Sequence, residues 1–378
     1  MKRIVFVFSF LFATYILFSQ TQTSPAISAP QFFEVKTLKA TPVKNQAMTG
    51  TCWCFATTSL VESEEIRRDK QEIDLSEMYT VRNMYIEKAK NYILRGGKAQ
   101  FGEGGLGHDE IRAVAMYGAI PLSEYTGLIN GEKSYNHQKL FNQLDHYLDS
   151  ILRKQPIAND WLSGYVKILD EDLGTAPSEF LYNGKKYTPQ SFAKEVLHFN
   201  ANDYVSITSF THQPYYQPFI LQVPDNFANG SFYNVPLNEM IDVVKDAVNR
   251  GYTVGWDADV SNKGFNQAVG LALNLDNNTS YSKDQLTPEV KEASYDAAIR
   301  QQLYENLTTQ DDHLMHVTGV EKSKDGKTFF IVKNSWGKVG PFEGYINVSE
   351  AYFAINTISL VVPKAALSKE MLAKLNLK

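Results

Sequence analysis

A change of hydrophobic period along the chain limits its fold more than any other feature. The first half is mostly at helical spacing, with helices predicted at 52–68, 76–94, 109–117, 137–155 and 189–197. Strand patterns then alternate with helices: strands at 204–210, 219–223 and 252–257, helices at 237–250 and 288–307. The last part is rich in strands, at 317–321, 328–333, 344–348 and 356–362, before a short helix at 368–377. This order predicts an α+β fold of two lobes, one mostly helical and one mostly built from strands.

Length and charge narrow the classes of function. A chain of 378 residues has room for one large domain or for two lobes that share a cleft. The net charge is -5 and 43% of the residues are hydrophobic, so the composition is globular. Nothing indicates a surface that binds a polyanion, and no nucleic-acid partner is expected.

The N-terminus resembles an export signal. Lys2 and Arg3 precede an apolar run of 15 residues, 4–18, which is short for a bilayer span. We therefore expect a signal peptide at 1–20 and a secreted or periplasmic protein, with an uncleaved anchor as the alternative. Residues 21–34 are interpreted as a linker or propeptide remnant, and 35–51 as a loop. No later segment is apolar enough to span a membrane, so no membrane contact is expected once the signal is removed.

The chain contains two cysteines, Cys52 and Cys54, which are too close in sequence to form a disulfide readily. Cys52 follows a loop of small residues and begins a predicted helix. The dipole and free N–H groups at a helix N-terminus lower a thiol pKa, which makes Cys52 a candidate nucleophile. The alternative is a buried structural cysteine, the usual state of a free thiol.

Two further segments carry groups that suit a nucleophilic thiol. His313 opens a predicted hairpin that ends at Asn334, so the Asn carbonyl would lie beside the imidazole and fix its tautomer. Gln46 lies six residues before Cys52, where its amide would donate to an oxyanion together with the Cys52 N–H. Each of these residues alone is more often structural or solvated.

The segment VKNQAMTGTCWCFA (43–56) and the motif NSWG (334–337) resemble the active-site signatures of papain-like cysteine peptidases. The resemblance implies a two-lobe papain-like fold with Cys52 as nucleophile, His313 as base, Asn334 as its orienting partner and Gln46 as oxyanion donor. It also implies that Trp336 shields the His–Asn bond. Gly104 and Gly105 match the family's Gly-Gly, whose backbone pairs with substrate like an added strand.

Within that superfamily the chain is most similar to the bleomycin hydrolase and aminopeptidase C branch. The TGTCW lead-in and Thr49, which replaces a disulfide-forming cysteine, carry this likeness. Cys52 and His313 are 261 residues apart, which implies a large insertion at about 125–300 in a peptidase domain covering 35–378. The branch resemblance also implies a homo-oligomer.

Two residues compete with these assignments. His316 follows His313 by three positions, but strand alternation places the two on opposite faces, and Thr318-Gly319 falls at the family's distance from His313. Cys54 is interpreted as helix packing.

The implied reaction is hydrolysis of peptide or protein substrates without a metal or organic cofactor. Acyl transfer to an amine and a catalytically silent peptide-binding protein of the same fold are the alternatives.

The choice between removal of N-terminal residues and internal cleavage is open. In the branch that the chain resembles, a C-terminal arm fills one side of the cleft and its carboxylate pairs with the substrate amine. Here the tail ends at Lys378, and by the resemblance the extended segment of that arm is missing. Aminopeptidase action is slightly favoured, and an endopeptidase with an open cleft is the alternative.

Overall fold

A computed structural model describes residues 29–276, 280–282 and 285–377. The segment interpreted as a signal peptide lies outside these residues, as does most of the proposed linker. Within the described ranges no helix combines the length and apolarity needed to cross a bilayer.

Ten helices and thirteen strands are assigned in the described residues. The helices are α1 Cys52–Asp69, α2 Glu77–Leu94, α3 Gly107–Tyr117, α4 Gln138–Leu152, α5 Trp161–Leu173, α6 Pro189–Glu195, α7 Leu237–Asn249, α8 Ala297–Glu305, α9 Glu350–Asn356 and α10 Lys369–Lys374. The strands are β1 Phe33–Thr37, β2 Phe180–Tyr182, β3 Lys185–Tyr187, β4 Tyr204–Thr208, β5 Pro218–Ile220, β6 Ser231–Asn234, β7 Val254–Ala258, β8 Phe265–Asn266, β9 Leu271–Ala272, β10 His313–Lys322, β11 Thr328–Lys333, β12 Tyr345–Ser349 and β13 Thr357–Pro363. The helices α1 to α6 precede ten of the thirteen strands of the described residues, so the predicted α+β order is confirmed.

One large sheet organises the second half of the chain. In the described residues it has eleven strands in the order β5-β6-β4-β13-β7-β10-β11-β12-β9-β8, and β1 adds to β10. Most neighbours are antiparallel, while the β4–β6 and β9–β12 pairs are parallel. Strand β10 lies in the middle of this order, which places its first residue, His313, deep in the molecule.

Two apolar cores flank β10. Leu314 joins a core built mainly from the helices α1 to α6, whereas Met315 joins a core formed by the sheet with α7 and α9. This alternation follows from the two-residue period of a strand. The helix α1 packs directly on β10, and all of its residues from Cys52 to Ile66 are buried. The start of α1 and the start of β10 therefore meet at the boundary between the two lobes.

Several elements differ from the sequence prediction. The strand β1 lies where a linker and a loop were expected; all five of its residues are exposed, so it carries no apolar alternation and is held by backbone pairing to β10. Helix α8 is shorter than the predicted 288–307 because Asp296 caps it by accepting from the Ile299 N–H at 2.7 Å. Helices α5 and α9, the β2–β3 hairpin and β6 were not predicted.

Candidate active site

Cys52 is the first residue of α1 and is 8% exposed. The first N–H groups of a helix have no acceptor within the helix, so the Cys52 amide is free to donate toward the cleft. The neighbouring Trp53 fixes the start of the helix, because its Nε1 donates to the Glu103 carbonyl at 3.0 Å. The glycine-rich loop is thereby tied to the residue next to the thiol.

His313 and Asn334 meet as the hairpin predicts. The strands β10 and β11 are antiparallel, and His313 Nε2 lies 2.8 Å from Asn334 Oδ1. Since an amide oxygen only accepts, Nε2 carries the hydrogen and Nδ1 is the basic nitrogen. The Asn334 amide is itself oriented: its Nδ2 donates to Gln267 Oε1 at 3.0 Å, and the Ser335 N–H donates to its Oδ1 at 2.7 Å.

Trp336 covers this pair. Its ring stacks on the His313 imidazole with centroids 4.6 Å apart and planes inclined by 28°. Phe265 packs edge-on against the same indole at 5.8 Å. The stacked ring limits water access to the His–Asn hydrogen bond, which is the place that the sequence predicted for Trp336.

Gln46 is buried, and hydrogen bonds at both the nitrogen and the oxygen of its side-chain amide fix its orientation. Its Nε2 donates to the Thr49 carbonyl at 2.8 Å, and its Oε1 accepts from Ser335 Oγ at 2.5 Å. A carboxamide nitrogen carries two hydrogens, so one remains for a ligand beside Cys52. Both Gln46 and Cys52 line the same cleft.

The two competing residues lie elsewhere. His316 is fully buried, and its Nδ1 lies 2.9 Å from Ser59 Oγ on α1, which also receives a hydrogen bond from Lys333. The Cys54 thiol lies against Glu110, with Sγ to Oε2 at 3.1 Å, and burial raises its pKa well above the usual range. Neither residue lines the cleft at Cys52, which agrees with the strand alternation and with a packing role for Cys54.

The electrostatics of Cys52 differ from the sequence expectation. Burial raises the pKa of the thiol to about 12; the Leu314 N–H opposes this, and the carboxyls of Asp311, Asp257 and Asp225 add to it. Burial also lowers the pKa of His313 to about 4, partly offset by the hydrogen bond that it donates to Asn334. The helix N-terminus is therefore not the main influence on the pKa of Cys52. Each group alone resists ionisation, because burial disfavours its charged form.

The cleft has a volume of ≈530 Å³ and lies between the lobes. The sequence-predicted residues Gln46, Cys52, Gly104, Gly105 and His313 all line it. Asp225, Asp311 and Asp312 line it as well, and sequence reasoning did not assign them a role. The chain offers one signal for two of them, since Asp311 and Asp312 directly precede His313. Asp225 is placed only by the fold.

Gly104 and Gly105 are partly covered by the side chains of Asp225 and Trp53. A Cβ on Gly104 would collide with Asp225 Oδ2, so this carboxylate lies directly on the Gly104 α-carbon. The Gly104 carbonyl accepts a hydrogen bond from Lys88. Gly105 packs on the Trp53 indole, with its would-be Cβ 3.1 Å from the ring. Strand-like pairing of a long substrate with Gly104, as the resemblance implies, is therefore obstructed by Asp225.

The C-terminal residues that are described pack away from this cleft. Arg250 donates to the carbonyls of Ala366 and Leu367 at 2.8 and 2.6 Å, and Lys374 pairs with Glu239 on α7 at 3.2 Å. Leu377 packs on the core of the sheet lobe. Up to this residue, the tail does not supply a group to Cys52.

In the described ranges no group of three or more His, Cys, Asp or Glu side chains is arranged to hold a metal ion.

Comparison with known families agrees with this geometry. Residues 178–378, more than half of the chain, match the model of the peptidase C1-like family, and residues 29–91 match that of the papain family cysteine protease. The chain belongs to the peptidase C1-like family. The two matched segments contain Cys52 and Gln46 on one side and His313 and Asn334 on the other, so this C1-like protein is a cysteine peptidase with a papain-like fold.

Individual relatives have low sequence identity to this chain but align over most of its length. Aminopeptidase C of Lactococcus lactis subsp. cremoris is 26% identical over 94% of this chain and 87% of its own length. Bleomycin hydrolase of Rattus norvegicus is 22% identical over 88% of this chain and 83% of its own. The solved structure of pepw from Lactobacillus rhamnosis HN001 superposes with a TM-score of 0.73 at 22% identity, covering 93% of this chain and 85% of that one. The resemblance to the aminopeptidase C and bleomycin hydrolase branch is confirmed.

Proposed function

We propose that this C1-like peptidase is an aminopeptidase that removes residues from the N-terminus of peptides. The observation that carries this proposal is the position of Asp225 on Gly104, which closes the cleft on one side of Cys52. A substrate that extends in that direction meets a carboxylate, whereas a substrate that ends there does not. Similarity to proteins named aminopeptidase C along 94% of the chain supports the same choice.

The site residues divide the chemistry among them in this proposal. Cys52 Sγ attacks the scissile carbonyl carbon as its proton passes to His313, and Gln46 Nε2 with the Cys52 N–H holds the oxyanion. The imidazole then protonates the leaving amine, and a water molecule hydrolyses the acyl-enzyme. Asn334 and Trp336 hold the imidazole in place throughout.

A pair of matched substrates tests the proposal. The enzyme is given an aminoacyl p-nitroanilide and its N-acetylated form, with Cys52→Ala as the inactive control. We expect cleavage of the free-amine substrate at a kcat/KM at least ten times that of the blocked one. Equal cleavage would favour the open-cleft endopeptidase. Absence of Cys52 labelling by a covalent thiol-directed inhibitor, with no cleavage of either substrate, would favour a silent peptide-binding protein.

We also propose that the chain is exported and loses residues 1–20, on the strength of the apolar run at 4–18. N-terminal sequencing of the protein from an expressing cell and its culture medium tests this. A homo-oligomer is a further proposal from the branch resemblance, and light scattering of the purified protein tests it.

A further inference from the structure

Three carboxyl groups converge on the side of Cys52 that Asp225 closes. Asp225 and Asp311 line the cleft, and Asp257 on β7 lies behind Asp311, within hydrogen-bonding reach of it. The positions of two of them are firmly held. Asp225 Oδ1 accepts from Gln100 at 2.9 Å, and Asp257 Oδ2 accepts from Ser359 Oγ at 2.9 Å.

The loop that carries Asp225 is built around a buried amide. Asn226 Nδ2 donates to the carbonyls of Leu221 and Gly230 at 2.9 and 3.0 Å, and its Oδ1 accepts from the Gly230 N–H at 2.7 Å. Asn226 is 6% exposed. These bonds close residues 221–230 into a compact loop, so the carboxylate is presented to the cleft from a fixed frame.

One carboxyl oxygen of Asp257 and one of Asp311 accept no hydrogen bond from a donor group in the described residues. Asp257 is 1% exposed, yet among the described residues its Oδ1 receives no hydrogen bond, and the same is true of Asp311 Oδ2. Two carboxylates in contact repel one another, and such a pair persists by sharing a proton or by binding a cation. In the free protein the burial of both groups raises their pKa values, which favours the shared proton. A positively charged ligand in the cleft would replace it.

A nearby lysine is already engaged. The Lys88 ammonium donates to the carbonyls of Gly102 and Gly104. Its charge offsets part of the charge of Asp225 and Asp311, but it donates no hydrogen bond to Asp257 Oδ1 or Asp311 Oδ2.

From these contacts we propose that Asp311, backed by Asp257, and Asp225 bind the α-ammonium group of the substrate's N-terminal residue. The proposal rests on the aminopeptidase function above and names the groups that select for it. In a terminal residue the amine nitrogen stands about 2.5 Å from the scissile carbonyl carbon, since only the α-carbon separates them. An acceptor must therefore lie within one hydrogen bond of that point, beside the nucleophile. Asp311 is the candidate for this acceptor, because it lines the same cleft as Cys52 and acts on the Cys52 thiol more strongly than Asp257 or Asp225.

An ammonium group bound beside the three carboxyls would also change the ionisation of Cys52. The three carboxyls act against a thiolate at Cys52 in the free enzyme. An ammonium bound between them and Cys52 cancels that effect, so a substrate with a free amine promotes ionisation of the thiol that attacks it. An N-acetylated substrate brings no charge and gains no such promotion.

The test compares Asp311→Asn and Asp225→Asn with the wild-type enzyme on the two p-nitroanilides. Both changes preserve side-chain shape, and the amide introduced by the first would donate to Asp257. We expect each to lower kcat/KM for the free-amine substrate about 10- to 100-fold while cleavage of the acetylated substrate is unchanged or faster. Asp242→Asn, an exposed site on α7 whose carboxylate lies 3.6 Å from Lys245, removes the same charge and should alter neither rate.

Two readouts separate recognition from structural damage. Alkylation of Cys52 by iodoacetamide, a neutral reagent, should be faster in Asp225→Asn than in the wild type because a carboxylate that opposes the thiolate is gone. An amino acid amide should inhibit the wild-type enzyme competitively and its N-acetyl form at least tenfold more weakly, a measurement that needs no variant.

Different results would refute the aminopeptidase function and the assignment of the three carboxylates. A wild-type enzyme that cleaves both substrates equally refutes the aminopeptidase function. A wild-type enzyme that prefers the free amine, with both Asn variants retaining that preference, leaves the function standing and overturns the assignment of these carboxylates. Equal inhibition by the two amides would overturn it as well.

Discussion

Replacement of Asn334 by Ala tests how much of the activity depends on the orientation of His313. The bond removed joins His313 Nε2 to Asn334 Oδ1 at 2.8 Å, between side chains that are 4% and 2% exposed. A hydrogen bond to a neutral partner contributes about 1 kcal/mol, and one to a charged partner about 1.5–3 kcal/mol. Only the difference counts for catalysis, because the imidazole is neutral before proton transfer and charged after it.

That difference of about 1–2 kcal/mol corresponds to a fall in kcat/KM of roughly 5- to 30-fold. The stacked Trp336 remains and retains part of the ring orientation, so the loss should stay well below that of His313→Ala. Because the Asn334 bond raises the pKa of His313, its removal lowers that pKa, and the limb of the pH–rate profile set by His313 should move to lower pH. Asn334→Asp places a carboxylate at the same site and should move the limb to higher pH.

The assay is the pH dependence of kcat/KM on the free-amine p-nitroanilide, with thermal melting to confirm folding. Gln267→Ala is the matched control, since it removes the acceptor of the Asn334 amide at 3.0 Å but leaves the bond to His313; its effect should be smaller. A change of less than twofold in Asn334→Ala, or a limb that stays in place, would refute the orienting role.

The other predictions concern neighbouring residues. His313→Ala should abolish hydrolysis, whereas His316→Ala should retain kcat and lower the melting temperature, since His316 bonds to Ser59 far from the thiol; the reverse pattern would show that the wrong histidine was chosen. Gln46→Ala should lower kcat on the order of 10²-fold with little change in KM, and an unchanged kcat would exclude it as an oxyanion donor. Burial raises the pKa of Glu110 to about 8, above its ordinary value of 4.5. Between these pH values the folded state therefore binds one proton more than the unfolded state. The free energy of unfolding then falls as pH rises through that window, by up to about 1.4 kcal/mol per pH unit. Glu110→Gln should therefore flatten the melting temperature between pH 5 and 8, and an unchanged slope would contradict this.

The local geometry of the nucleophile and its partners could be predicted from the sequence. A thiol that begins a helix, a histidine that opens a hairpin and an asparagine that ends it are local features, because hydrogen bonding within a helix or hairpin depends on residues close in the chain. In the structure Cys52 begins α1 and His313 lies 2.8 Å from Asn334.

The closed end of the cleft was decided by the tertiary structure. Asp225 is one acidic residue among many in sequence, and it reaches Gly104 because the β5–β6 loop folds back over the glycine-rich loop, a contact across more than a hundred residues. The same is true of Asp257, whose unpaired oxygen becomes costly only when the sheet buries it beside Asp311.

The pKa of Cys52 shows most clearly what the sequence determines and what only the folded structure decides. The sequence places the thiol at a helix N-terminus, where a lower pKa is expected. Burial and three carboxyl groups, two of them distant in the chain from the rest of the site, raise it instead. Helix position acts over one turn and is visible in the sequence, whereas desolvation and the field of remote charges depend on the packing of the whole chain and exist only once it has folded.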